Sequence, residues 1–202
     1  MTDADPAKVP AALVIRPAEP GDIEVMHQFI VELTEYEDFP DPVTAQPADL
    51  TAALFGPHPA AEAVLARIDG QPAGFALFYL TYSTVLGRPG IHLEDLYVRP
   101  EYRGGGLGRA LLSHLAQLAV QRGCSRLEWW VLHTNEPALR FYARLGARIV
   151  DEVAILRVDD GLLRDLAAAG QPHTTPWPEP LAEPSPGWPG TARGAGPAAP
   201  HR

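Results

Sequence analysis

Apolar residues recur at two spacings along the chain, and the changes of spacing predict an alternation of strands and helices. Residues 13–16 are predicted to form a short strand. Apolar residues then follow at helical spacing from 23 to 33, and Asp22 in front of them is interpreted as the helix cap. A weaker amphipathic pattern predicts a second helix over 47–55.

The middle of the chain has the alternation that is typical of an antiparallel meander. Residues 63–68 and 73–82 are predicted to be strands, and Asp69-Gly70 between them is a strong hairpin signal. A loop rich in glycine and proline follows over 83–90, and a further strand is predicted over 91–98.

Strands and helices alternate in the remaining part. The predicted elements are a helix over 107–122, a strand over 127–132, a helix over 135–145 capped by Asn135 and ended by Gly146, a strand over 148–158 and a short helix over 162–168. The expected fold class is α/β in the mixed α+β sense, with a central, twisted, mostly antiparallel sheet and helices on both faces.

Composition divides the chain into three parts. We expect a flexible leader over 1–12, one folded domain over 13–169 and a disordered tail over 170–202. The tail holds nine of the 22 prolines and five of the 18 glycines, a composition that buries too little apolar surface to fold. No apolar run reaches the roughly 20 residues that span a bilayer, and no signal peptide is recognised, so we expect a cytoplasmic protein without a membrane partner.

Charge and cysteine content narrow the function further. The net charge of −9 argues against a nucleic-acid partner and slightly favours a cationic one. A single cysteine, Cys124, excludes an internal disulfide and a cysteine-cluster metal site. We expect Cys124 to be a small buried apolar residue and not a nucleophile.

A glycine-dense turn between a strand and a helix is the most informative motif. Gly104, Gly105, Gly106 and Gly108 let backbone N–H groups approach an anion, and the helix that begins at Leu107 adds free N–H donors. Flanking arginines at 103 and 109 suit phosphate, through charge-assisted bonds of about 1.5–3 kcal/mol each. The motif predicts a diphosphate cradle.

Several interpretations of this turn compete. A Walker A loop is excluded because Arg109-Ala110 stand where it needs lysine and then serine or threonine. A dinucleotide fingerprint is disfavoured because Leu111 replaces its third glycine, although Glu128 lies where the ribose-binding acid would sit. A turn with a purely structural role is a further alternative.

The remaining interpretation is a family resemblance. Arg103-x-x-Gly106-x-Gly108 resembles the coenzyme A pyrophosphate loop of the GNAT superfamily of N-acetyltransferases, and the run over 135–147 resembles the second signature of that family. The resemblance covers about 13–168. Segments 15–18, 33–37, 93–95 with 102–104, and 135–137 are closest to the diamine (spermidine/spermine) acetyltransferase branch, which includes thialysine acetyltransferases.

This resemblance implies a GNAT fold, acetyl-CoA as co-substrate without a metal, and a homodimer. The implied coenzyme contacts are Leu96, Tyr97, Val98, Arg103, Gly104, Gly105, Gly106, Leu107, Gly108, Arg109, Asn135, Pro137, Ala138 and Tyr142. The implied substrate contacts are Tyr36, Glu37, Glu94 and Asp95.

Acetyl transfer to an amine requires a base, polarisation of the carbonyl group and protonation of the departing thiolate. By resemblance, Tyr142 is the acid and Glu94 the base, acting through water. Successive strand residues point to opposite faces, so Glu94 and Asp95 face the same side only if a bulge intervenes. Without the family match, an ion pair at Glu94 and core packing at Tyr142 remain alternatives.

The chain departs from the polyamine enzymes at three positions. Val85 replaces a tryptophan, Glu35 a basic residue and His133 a glutamate. These changes spare the coenzyme motifs and leave the amine open. We expect an enzyme that acetylates a primary amine of a small molecule. The alternatives are a protein or peptide N-acetyltransferase and a non-catalytic acyl-CoA-binding regulator.

Overall fold

A computed structural model describes residues 12–39 and 41–170, which form two compact units over 12–132 and 133–170. The first unit contains β1 (Leu13–Pro17), α1 (Ile23–Tyr36), α2 (Pro47–Phe55), β2 (Glu62–Ile68), β3 (Gln71–Ser83), β4 (Arg88–Val98), α3 (Leu107–Gln121) and β5 (Leu127–Trp129), with short 3-10 turns at Pro20–Asp22 and Pro100–Tyr102. The second unit contains α4 (Glu136–Arg144) and α5 (Asp160–Ala169). Except for residues 12 and 170, the predicted leader and tail lie outside the described residues.

The first unit is built on a five-stranded sheet in the order β1-β2-β3-β4-β5. The first three pairs are antiparallel, and β5 pairs parallel to β4. The hairpin between β2 and β3 turns at Asp69-Gly70, where both residues have positive φ angles of 50° and 77°. This geometry suits a type I′ turn, so the hairpin prediction is confirmed.

Helices cover both faces of this sheet. On one face α1 and α2 pack against Leu65, Phe75, Leu77 and Tyr97. The intervening residues of β2 and β3 point to the other face, and α3 packs against β3, β4 and β5. The apolar stripe of α3 at Leu107, Leu111 and Leu115 is fully buried. The predicted mixed α/β architecture is therefore confirmed.

Asp22 stands at the N-cap position of α1, as predicted, but its carboxylate has other partners. Its side chain makes no cap hydrogen bond to α1. The carboxylate instead accepts hydrogen bonds from both terminal nitrogens of Arg16, from Arg67 and from the backbone N–H of Glu19. Burial opposes its ionisation, but these donors outweigh burial and lower the pKa of Asp22. Asp22 thus stabilises the end of β1 and its connection to α1.

In the second unit, α4 begins and ends as predicted. The side-chain oxygen of Asn135 accepts a hydrogen bond from the N–H of Ala138 at 3.2 Å, as a helix cap does. Gly146 follows the helix with a φ of 85°, and the next N–H returns to the carbonyl of Tyr142.

The strand predicted over 148–158 is wrong. Within the described part of the chain these residues form no ladder, and Ile149 and Leu156 are 71% and 92% exposed. A strand exists only where a neighbouring strand accepts hydrogen bonds from its N–H groups and donates to its C=O groups, and alternation alone does not supply that neighbour. The predicted strand over 127–132 is likewise shorter and ends at Trp129.

Candidate active site

The glycine-dense turn joins the end of β4 to the start of α3. Gly104 and Gly106 have φ angles of 78° and 86°, which side-chain-bearing residues rarely adopt. Gly106 stands directly before the helix, and buried Leu107 anchors the first turn in the core. The first N–H groups of an α-helix have no acceptor within the helix, so the turn presents donors to an anion. This geometry fits the diphosphate cradle that the sequence predicts.

The edge of β4 beside this turn is open. The β4–β5 ladder ends at the pair Leu93 and Trp129, whereas β4 continues to Val98. No other strand of the described residues pairs with β4 on that side beyond Leu93. Alternate residues turn their backbone groups to this edge, so those of Leu96 and the N–H of Val98 are available to an extended ligand that carries amide groups. The carbonyl of Val98 already accepts a hydrogen bond from Arg103. The Tyr97 side chain is buried under α1 and its carbonyl oxygen faces Gly74 of β3, so the predicted coenzyme contact of Tyr97 stays a prediction.

A β-bulge lies at Glu94. Leu77 of β3 pairs with Asp95, but the next residue, Phe78, pairs with Leu93, so Glu94 has no partner in the ladder. The extra residue shifts the alternation by one position. His92 and Asp95 consequently face the same side of the sheet, and the Glu94 carboxylate lies 3.8 Å from His92. The bulge thus turns both acids of the Glu94-Asp95 pair to one side of the sheet.

The surroundings of Asp95 disfavour the charged form of its carboxyl group. Burial, followed by the negative charges of Glu94 and Glu37, raises the pKa of Asp95 from 3.8 to about 7. Glu37 is the C-cap that directly follows the last residue of α1. The structure thus brings together three of the four predicted substrate contacts, Glu37, Glu94 and Asp95.

The fourth predicted substrate contact, Tyr36, packs against Arg103, which is one of the predicted coenzyme contacts. The guanidinium carbon of Arg103 is 4.2 Å from the centre of the Tyr36 ring, and Arg103 Nε donates to the carbonyl of Val98 at 2.8 Å. Both residues line a surface cavity of about 520 Å³ between the end of α1 and the turn after β4. Arg103 is thus held beside α1 here, whereas Arg109 lies exposed in the first turn of α3.

The inner wall of this cavity contains a partly buried network. Glu32 lies 3.7 Å from Arg99, whose guanidinium also packs over Phe29 at 5.0 Å. Burial, followed by the hydrogen bond to Glu32, raises the pKa of Tyr97 to about 12. Tyr97 therefore stays neutral at physiological pH and fixes the end of α1 against β4.

The sequence did not single out His92, a polar residue in the apolar part of β4. Its ring is 4% exposed, stacks on Tyr79 at 5.0 Å and meets the edge of Trp130 at 4.8 Å. A histidine two residues before Glu94 in a strand was the available signal, because residues at that spacing share a face.

The predicted site residues Asn135, Pro137, Ala138 and Tyr142 belong to the second unit. Pro137 lies in the first turn of α4, and Tyr142 lies in its last turn with its ring 5.2 Å from that of Phe141. Tyr142 is half-buried. Its role as acid and the coenzyme contacts of Asn135, Pro137 and Ala138 stay predictions.

The described residues form neither a membrane-spanning helix nor a metal-binding cluster. None of their helices combines the length and the apolar character that a membrane crossing requires. The same residues contain no cluster of three or more histidine, cysteine or acidic side chains with the geometry of a metal site.

Known proteins with similar sequences carry related activities. The model of the Acetyltransferase (GNAT) family matches residues 27–147. The chain is 38% identical over 168 residues to thialysine N-epsilon-acetyltransferase of Sus scrofa, which covers 78% of this chain and 98% of the relative. It is 32% identical over 140 residues to the spermidine/spermine N(1)-acetyltransferase-like protein 1 of Homo sapiens, covering 66% of this chain and 20% of the relative.

A solved structure agrees with these matches. An integron cassette protein from the mobile metagenome of V. cholerae superposes with a TM-score of 0.65 at 28% sequence identity, covering 77% of this chain and 98% of that one. The resemblance to the diamine and thialysine acetyltransferase branch is thereby confirmed. Because the family model spans more than half of the chain and a relative matches over nearly its whole length, this chain belongs to the GNAT family and is an acetyltransferase.

Proposed function

We propose that the protein transfers the acetyl group of acetyl-CoA to a primary amine of a small molecule, by direct attack in a ternary complex. The observation that carries this proposal is the bulge at Glu94. It sets the Glu94 and Asp95 carboxyl groups beside the open edge of β4, in the same segment that leads into the glycine turn. An amine-recognising acid pair and a coenzyme cradle thus share one strand.

The coenzyme would be held by the backbone more than by side chains. The first-turn amides of α3 suit its diphosphate, and the backbone of Leu96 with the N–H of Val98 on the open edge suits the amide groups of its pantetheine arm. A side chain added at Gly104 meets no atom within 4 Å, so open space lies in front of the loop. When bound, acetyl-CoA supplies the acetyl thioester, and no metal is needed for the transfer.

The acceptor would be a small cationic amine of the polyamine, diamine or lysine-like class. Glu37 and Glu94 concentrate negative charge at the end of α1 and the bulge of β4, and that charge attracts ammonium groups. The same charges raise the pKa of the neighbouring Asp95. The names of the relatives above point to the same class. Val85 is 92% exposed in the turn between β3 and β4, so it offers no wall to a polyamine chain in the position where the polyamine enzymes have tryptophan.

The proposed chemistry assigns one proton transfer to each of two residues. Glu94 accepts a proton from the ammonium group through water, which leaves a neutral nitrogen lone pair. That nitrogen forms a bond to the acetyl carbon, the C–S bond breaks, and the hydroxyl of Tyr142 donates its proton to the departing sulfur. The nitrogen of the new amide keeps one proton and releases the surplus one to solvent, as does Glu94. Tyr142 then takes a proton from solvent and is neutral again.

Assembly and location complete the proposal. We expect a cytoplasmic homodimer without nucleic-acid or membrane partners, as the family resemblance and the net charge of −9 indicate. Analytical ultracentrifugation of the full chain would distinguish a dimer from a monomer.

The deciding experiment is turnover with a panel of amines. CoA release from acetyl-CoA is followed with a thiol reagent for spermidine, putrescine, ornithine, lysine, thialysine and a lysine-containing peptide, and products are identified by mass. Turnover of a small amine with little on the peptide supports the proposal. Preference for the peptide would establish the protein or peptide alternative, and coenzyme binding without any turnover would establish the regulator.

A further inference from the structure

His92 is buried, and its ring is held on two sides. Tyr79 stacks on it with an interplanar angle of 25°, and Trp130 meets it edge-on at 71°. Both neighbours lie on adjacent strands or at their ends, since Tyr79 belongs to β3 and Trp130 directly follows β5. The imidazole therefore has little freedom to rotate or to leave its place.

The Nε2 atom of this fixed ring lacks a hydrogen bond. It is shielded from solvent and makes no hydrogen bond to any described residue. A polar atom left in this state costs about 1–3 kcal/mol. The carboxylate of Glu94 faces it, with its Oε2 3.8 Å away, about 0.9 Å beyond the usual N–H···O distance of ~2.9 Å.

The two partners differ in their freedom to close that gap. The His92 side chain is 5% exposed and clamped, whereas the Glu94 side chain is 48% exposed and stands on the bulge outside the ladder. A small rotation of Glu94 therefore forms the hydrogen bond without disturbing the core. Glu94 then has a solvated orientation, as seen here, and one fixed by His92.

We propose that His92 is the positioning residue of Glu94: its Nε2–H donates to the carboxylate and holds it in the orientation that accepts the proton of the acceptor amine. This inference rests on the proposed function of Glu94 as base. His92 itself touches neither amine nor coenzyme. Its contribution is to reduce the number of orientations that the half-exposed carboxylate samples during the reaction.

Two substitutions of His92 separate its nitrogen from its ring. His92→Phe retains a flat ring between Tyr79 and Trp130 but removes the donor. We expect kcat to fall about 10–100-fold, the range of a hydrogen bond to a charged group, while KM for acetyl-CoA changes less than about threefold. Because the variant also removes a buried unsatisfied nitrogen, its melting temperature should stay the same or rise. His92→Gln places an amide N–H the same number of bonds from Cβ as Nε2, and it should restore part of kcat.

A double-mutant cycle with Glu94→Gln tests whether His92 acts through Glu94. In that background, His92→Phe should cause no further loss of kcat, because the carboxylate that it orients is gone. His27→Phe is the control for the substitution itself, since His27 lies on α1 with its Nε2 2.8 Å from the carbonyl of Ala45. It should have the kcat of the unmodified protein.

The outcomes separate this inference from the proposed function. A His92→Phe variant with an unchanged kcat would overturn the inference while leaving an active enzyme, and so would equal losses in the presence and absence of Glu94→Gln. An unmodified protein that acetylates no amine, or a Glu94→Gln variant with full activity, would overturn the proposed role of Glu94 and this inference with it.

Discussion

Replacing Asp95 by asparagine is expected to change how stability depends on pH. Burial and the charges of Glu94 and Glu37 raise the pKa of Asp95 from 3.8 to about 7. Between these values the folded protein retains a proton that the unfolded chain has released. The free energy of unfolding of the unmodified protein therefore falls as pH rises through this window, and the contribution is constant above about pH 8.

The magnitude follows from the size of the window. Each pH unit within it changes the free energy of unfolding by about 1.4 kcal/mol, so from pH 5 to pH 8 the unmodified protein should lose about 2–3 kcal/mol through Asp95. Asp95→Asn has no group to titrate at this position and is close to isosteric. The difference in stability, variant minus unmodified, should increase by that amount over the same range.

Urea unfolding followed by tryptophan fluorescence at pH 5, 6, 7 and 8 measures this difference, and subtraction removes the titrations common to both proteins. In a Glu37→Gln background, Asp95 loses one of the charges that raise its pKa, so the increase should end at a lower pH. A difference that is flat from pH 5 to 8 would refute the reasoning and place Asp95 in a well-solvated or paired environment.

Three further predictions concern the cradle, the acid and the β1 connection. Gly106→Val adds a branched side chain where φ is 86° and should weaken acetyl-CoA binding, measured by calorimetry, at least about tenfold. The control Gly21→Ala should leave the affinity unchanged. An unchanged affinity for Gly106→Val would show that the glycine turn does not bind acetyl-CoA. Tyr142→Phe should lower the pre-steady-state chemical rate by about 10²–10⁴-fold with little change in acetyl-CoA affinity, and a full rate would make Tyr142 a packing residue. Asp22→Ala leaves two arginines without their carboxylate and should cost about 2–4 kcal/mol in urea unfolding. Arg140→Ala, which breaks an exposed ion pair on α4, should cost below about 0.5 kcal/mol, and an equal cost for both would contradict the importance of burial.

The elements that the sequence predicted well are those decided by local patterns. The helix over 47–55 matches α2, and the apolar stripe that begins at Leu107 matches the buried face of α3. Asp69-Gly70 determines its turn through the φ angles that these two residues tolerate. In each case a few residues that are neighbours in sequence determine the local conformation.

The elements that it predicted poorly depend on distant partners. The pattern over 148–158 suits a strand, but a ladder needs a second edge that no local pattern provides. Asp22 has the position of a helix cap, yet Arg67, which is 45 residues away, helps to draw its carboxylate into an ion-pair network. The charges around Asp95 likewise come from α1 as well as β4, so its raised pKa could not be read from its neighbours in sequence.

The bulge at Glu94 connects these non-local effects to the chemistry. It arises from the register between β3 and β4, where Leu77 and Phe78 pair with Asp95 and Leu93. Without it, strict alternation would turn Asp95 to the face opposite His92 and Glu94. The extra residue brings the acid pair to one side and leaves Glu94 without a partner in the ladder. The last pair between β4 and β5 is at Leu93, one residue before Glu94, so the edge of β4 is open beyond it. A one-residue change of register thus places a half-exposed carboxylate beside a buried histidine, in the segment of β4 that leads to the unpaired strand edge.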